Sequence, residues 1–170
     1  MTAIQDNVEA ASAAYAATFD KGHLALPPAK KYLVLTCMDA RIDPARAFGI
    51  ELGDAHVIRN AGASAADALR SIVISQQLLA TNEIVLVKHT GCGMLTFKHE
   101  DAVAVVKGNL GDEAVAELSE KVPDFLAFPD LEEAVRKDVE YLKKSKVVPE
   151  GVAISGWVYD VETGKTTRVV

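Results

Sequence analysis

Short apolar runs alternate with stretches of helical periodicity along most of this chain. Tyr32, Leu33, Val34 and Leu35 form a continuous apolar run ending at Thr36 and Cys37, the pattern of a strand buried on both faces. His56, Val57 and Ile58 make a second brief strand, and Ile84 to Val87 a third. Between the last two, Leu69, Ile72, Val73 and Leu79 sit largely at helical spacing, with Asp67 near the start, which predicts a helix over 66–79. Helical patterns continue over 100–107, 112–120 and 131–143, punctuated by Gly108, Gly111, Pro123 and Pro129. The last segment changes character. Val152 to Tyr159 alternates, Glu162 to Lys165 signals a turn, and Thr166 to Val170 returns as a paired strand.

Ahead of the first strand, Asp6 to Phe19 is an Ala-rich segment of good helix formers, with Asp6 or Asn7 as the expected cap. Gly22, Pro27 and Pro28 then break the pattern, so residues 1–28 read as an N-terminal helical arm. Strands alternating with helices imply right-handed parallel β-α-β units. The expected fold class is α/β: an open, mainly parallel sheet covered by helices on both faces, with a C-terminal antiparallel hairpin at one edge. No repeat or linker divides the 170 residues, and one domain over 1–170 is expected.

Charge narrows the function. With 18 basic and 24 acidic side chains, the net charge is −6, and no Lys/Arg-rich run offers a surface to phosphate backbones or anionic lipid. Neither a nucleic-acid nor a membrane partner is expected. The start, MTAIQDNVEA, has neither a basic leader nor an apolar segment, which points to the cytoplasm. Two cysteines are too few for a disulfide scaffold, so their location decides what they do.

Both fall where an open parallel sheet gathers its ligands, beyond the carboxyl ends of the strands. Cys37 ends the first strand, while His89 and Cys92 occupy the turn after the third. Adjacent parallel strands bring these three together although they lie about fifty positions apart. Two thiolates and one imidazole make a tetrahedral zinc site with one position open, the arrangement of a catalytic zinc. Zn2+ with two thiolates is formally neutral and withdraws little charge from a bound water, so a neighbouring base is needed. Asp39, two residues past Cys37, accepts a hydrogen bond from the zinc-bound hydroxide, and Arg41 holds that carboxylate ionised and in place.

Simpler readings explain less. A Cys37–Cys92 disulfide leaves His89, Asp39 and Arg41 without a role, and the stretch from Cys37 to Arg41 is too short for the phosphate cradle of a thiolate phosphatase. Gly91 and Gly93 lack the third glycine of a dinucleotide loop. His23, His56 and His99 read as surface or loop residues, with proton export a further role open to His99. Asn60 and Gly62 make a turn that also shapes the pocket.

CMDAR at Cys37 to Arg41, RNAG at Arg59 to Gly62 and HTGCG at His89 to Gly93, in this order and spacing, resemble the signature of the β-class carbonic anhydrases. GCGMLTF and the short length are similar to the compact branch of that family. The resemblance implies zinc on Cys37, His89 and Cys92, an Asp39–Arg41 dyad beside it, and a site built at a homodimer interface, with the N-terminal helix packed on a partner subunit or the assembly larger still. It implies reversible hydration of carbon dioxide, or, in enzymes of the same scaffold, hydrolysis of carbonyl sulfide or carbon disulfide. A third possibility is a non-catalytic zinc or bicarbonate-responsive protein in which Asp39 closes the metal permanently. The expected pocket for a small neutral substrate comprises Asn60, Gly62, Ala63, Ser64 and Gly93. Its loop Ala63-Ser64-Ala65-Ala66 is built of unusually small residues, and a roomier pocket is the consequence expected of them.

Overall fold

A computed structural model describes residues 2–170. Five strands form one sheet in the order β2-β1-β3-β4-β5. β1 (Tyr32–Cys37), β2 (Ala55–Asn60), β3 (Glu83–His89) and β4 (Ala153–Tyr159) run parallel, and β5 (Thr166–Arg168) returns antiparallel to β4. This is the α/β fold with an edge hairpin that the alternation of patterns predicts.

Two helices lie side by side on one face. α3 (Ala65–Gln77) packs against β1 and β2, α6 (Leu131–Lys144) against β3 and β4, and the two touch each other. Leu33 and Leu35 of β1, Ile84 and Leu86 of β3, Ile72 of α3 and Val135 and Leu142 of α6 form the core between them, each fully buried. Complete burial of such side chains stabilises the fold by roughly 2 kcal/mol apiece. β1 and β3 are central and almost wholly buried, whereas β2 alternates between half-buried and exposed, as an edge strand does.

Gly156 of β4 allows α6 to sit close, because a Cβ there would collide with Val135 and would meet Val139 at 3.0 Å. The C-terminal strand is shorter than expected. Val169 and Val170 leave the ladder and both donate to the Gly156 carbonyl, tucking their side chains against the core.

The remaining helices are α1 (Ala3–Ala16), α2 (Pro44–Phe48), α4 (His99–Leu110) and α5 (Asp112–Lys121). The α1 start differs from expectation. Thr2 is its cap, and Thr2 and Gln5 satisfy each other's backbone N–H groups in a capping box, which leaves Asp6 and Asn7 inside the helix. No residue of α1 is buried, and Ile4, Val8 and Tyr15 stand open. Among the described residues, no helix is long and apolar enough to cross a membrane.

Candidate metal centre

Cys37 closes β1 at the point where the chain must leave the sheet. Pairing with β2 continues one step further, Met38 N–H donating to the Asn60 carbonyl at 2.9 Å, and the chain then turns through Asp39. Arg41 N–H donates to Asp39 Oδ1 at 2.9 Å, the short loop that aspartate makes with the residue two ahead. The turn is fixed from the neighbouring strand as well. Arg59 of β2 donates from Nε to the Cys37 carbonyl at 3.1 Å and from Nη2 to the Asp39 carbonyl at 2.7 Å.

His89 is the last residue of β3, which runs two residues past the apolar run Ile84–Val87 instead of ending before His89, and Cys92 follows at the foot of a short 3-10 turn, Gly93–Leu95. Cys37, His89 and Cys92 are all buried, and their Sγ, ring-nitrogen and Sγ atoms lie within 4.8 Å of one another. His89 Nδ1–H donates to the Thr90 carbonyl at 2.9 Å, which leaves Nε2 as a lone-pair acceptor. That Nε2 is buried without a hydrogen bond. A buried nitrogen lone pair facing two sulfurs is the donor set that zinc takes.

The two thiols agree with this. The closeness of the two sulfurs holds the Cys37 thiol well below its ordinary value, while that same neighbour and burial push the Cys92 thiol above its own. Two sulfurs this close keep one proton between them, and a dication in its place lets both carry charge. Gly62 N–H also donates to Cys37 Sγ, at 3.4 Å.

Asp39 and Arg41 meet as the spacing predicts. Nε reaches Oδ1 at 2.9 Å and Nη2 reaches Oδ2 at 2.7 Å, and Nη2 also donates to the Gly91 carbonyl at 3.0 Å, tying the pair to the turn that carries Cys92. Those bonds hold the Asp39 carboxyl well below the usual carboxylate range. The carboxylate lies beside the three ligands, Oδ2 at 3.7 Å from His89 Nε2.

The five expected pocket residues divide. Gly62 touches a ligand, and a side chain on Gly93 would meet nothing within 4 Å. Asn60 closes the loop, accepting from Ser64 N–H at 2.8 Å and donating to its carbonyl at 2.9 Å, and Ser64 caps α3 by accepting from Asp67 N–H. Ala63 and Ala65 are fully buried in the main core, whereas Ala66 is exposed. Of the other histidines, His23 caps a local turn, His56 Nδ1 lies 2.8 Å from Ser75 Oγ, and His99 lies 3.8 Å from Asp124 Oδ1. His99 borders a cavity of about 490 Å³ shared with Leu95, Phe97, Phe128 and Pro129, none of them a ligand.

A family profile described as "Carbonic anhydrase" matches residues 32–166. "Beta-carbonic anhydrase 1" of Mycobacterium tuberculosis is 40% identical over 167 residues, 98% of each chain. "Carbon disulfide hydrolase" of Acidithiobacillus thiooxidans is 33% identical over 155 residues, 83% of this chain and 78% of that one. Among solved structures, "Carbonic anhydrase from Glaciozyma antarctica" superposes with a TM-score of 0.93 at 44% identity, covering 100% of both chains.

Proposed function

The chain belongs to the β class of the carbonic anhydrase family, and from that membership we propose that it is a zinc enzyme catalysing the reversible hydration of carbon dioxide to bicarbonate and a proton. Cys37, His89 and Cys92 would hold the ion, one per chain. Bound there, zinc supplies a Lewis acid that makes water acidic enough to act as a nucleophile near neutral pH.

The observation that carries the reading is Asp39, an ionised carboxylate beside the ligands with both oxygens engaged by Arg41. Oδ1 accepts from both the Arg41 backbone N–H and Nε, whereas Oδ2 accepts only from Nη2 and keeps a second lone-pair direction, so Oδ2 accepts a hydrogen bond from the attacking water while Arg41 keeps the carboxylate ionised and aimed. The same engagement favours catalysis over a permanently closed site, because an Asp39 that ligated the metal would have to leave Arg41. Ile42 and Met94 cluster with Cys37 and Cys92 and present an apolar wall to a linear, uncharged substrate. Gly62 and Gly93 frame its approach, with Asn60, Ala63 and Ser64 holding the loop from behind.

The carbon disulfide hydrolase relative supports a second reading, attack by the same site on carbonyl sulfide or carbon disulfide with release of hydrogen sulfide. The higher identity and fuller coverage of the carbonic anhydrase relative favour carbon dioxide. Initial rates on the three substrates with one zinc-loaded preparation test the choice. Bicarbonate formation should dominate, and sulfide release with negligible bicarbonate overturns it.

The exposed apolar side chains of α1 support a homodimer or larger homo-oligomer, in which that helix lies on a second copy.

A further inference from the structure

Next to His89 in β3, directly after the apolar run Ile84–Val87, lies Lys88. It is 2% exposed, and among the described residues no other lysine or arginine is buried. An ammonium taken out of water is costly unless every N–H finds an acceptor. Here all three do. Nζ lies 2.7 Å from Asp138 Oδ2 of α6, donates to the Gly62 carbonyl at 2.7 Å and to the Ala63 carbonyl at 3.2 Å, and rests 4.7 Å from the centre of the Phe128 ring. Asp138 in turn accepts from Ala65 N–H at 3.3 Å.

These partners converge on one turn. Gly62 and Ala63 are successive left-handed residues, with φ of 70° and 53°, and Ala63 adopts that conformation despite its Cβ. The conformation directs both carbonyls at a single cation. It also leaves Gly62 N–H on Cys37 Sγ. A hydrophobic residue at position 88 would fill the sheet equally well but would leave both carbonyls and Asp138 without their donor.

We propose that Lys88, anchored by Asp138, is a positioning residue for the metal centre: it fixes the Gly62–Ala63 turn so that the Gly62 N–H stays on the Cys37 sulfur. The inference rests on the reading that Cys37 ligates a metal. An N–H on a thiolate draws electron density from it, leaving less for the metal and keeping the metal more electrophilic. Losing that bond makes the sulfur more electron-rich, and its charge-transfer transition to a bound metal then moves to lower energy.

The test is the near-ultraviolet sulfur-to-metal band of the cobalt(II)-substituted full chain. In Lys88→Met the band should move to longer wavelength. Asp138→Asn, which keeps the helix and the shape of the site, should show a smaller shift of the same sign and serves if Lys88→Met does not fold. Val139→Ala, a core truncation one residue away on α6, should leave the band in place. An unshifted band in the folded Lys88 or Asp138 variant overturns the inference, as does an equal shift in Val139→Ala. A wild-type protein that binds cobalt without any sulfur band overturns the reading of Cys37 as a ligand, and this inference falls with it.

Discussion

Asp39 lies 3.7 Å from His89 Nε2 yet gives its two carboxylate oxygens to Arg41, at 2.9 and 2.7 Å. The carboxylate is thus near the Cys37-His89-Cys92 cluster and held away from it by a partner only two residues on. On the proposed reading, that arrangement separates binding the metal from handling the proton of the nucleophile.

Replacing the carboxylate separates them experimentally. Asp39→Asn should retain one zinc per chain and lose turnover by about 10²- to 10⁴-fold, the range for a general base. Metal analysis and stopped-flow hydration on the same sample check this, and unchanged turnover would remove Asp39 from the reaction.

The pH dependence of the pair has a defined sign. Arg41 depresses the Asp39 carboxyl in the folded state, so the stability it contributes is fully present above the unfolded value, about 3.9, and is lost as pH falls through the lower folded value. The difference in thermal midpoint between wild type and Asp39→Asn should stay constant from about pH 5 to 8 and narrow only below about pH 4. A difference that closed between pH 5 and 7 would mean that another group governs the pair.

Removing a ligand should abolish the site as a whole. His89→Ala leaves only the two sulfurs of the cluster, and zinc content should fall by at least about tenfold, with activity falling in parallel. Elemental analysis after dialysis against a chelator reads this directly, and full zinc retention would exclude His89 from the ligand set.

Gly62 should tolerate no side chain. Its φ of 70° disfavours one, and a Cβ would lie 2.7 Å from Met94 Cγ and 3.0 Å from Phe128 Cε1. Gly62→Ala should cost about 1–3 kcal/mol in denaturant unfolding. A midpoint equal to the wild type would show that Met94 and Phe128 move aside freely.

The N-terminal helix should matter for assembly rather than for the fold of one chain. Val8→Glu with Tyr15→Glu changes two exposed side chains of α1 and should leave the circular dichroism spectrum unaltered while sedimentation shifts to a smaller species. Unchanged sedimentation would place the contact between copies elsewhere.

The strands and the clustering of Cys37, His89 and Cys92 were legible because local pattern and topology agree. The run ending at Cys37 and the run before His89 are short, apolar and flanked by turn residues, and a parallel sheet brings such ends together. What local pattern misses is contact across distance. Lys88 reads as a polar residue at a strand end until Asp138, on a helix far along the chain, is brought against it. Arg59 belongs to a recognisable motif, but its hold on the Cys37 and Asp39 carbonyls exists only once β2 lies beside β1. The α1 cap was hidden by a nearer Asp and Asn, since the Thr2–Gln5 box lies one turn before the Ala-rich pattern begins.

The strand order also sets a timetable for synthesis. β1 pairs with β2 on one side and with β3 on the other, so its second edge stays bare until about fifty further residues have left the ribosome. Cys37 emerges with the first of these strands, whereas His89 and Cys92 arrive only with the last. A nascent chain therefore exposes one thiol long before the three-residue cluster exists, and the cluster forms only when the centre of the sheet has closed.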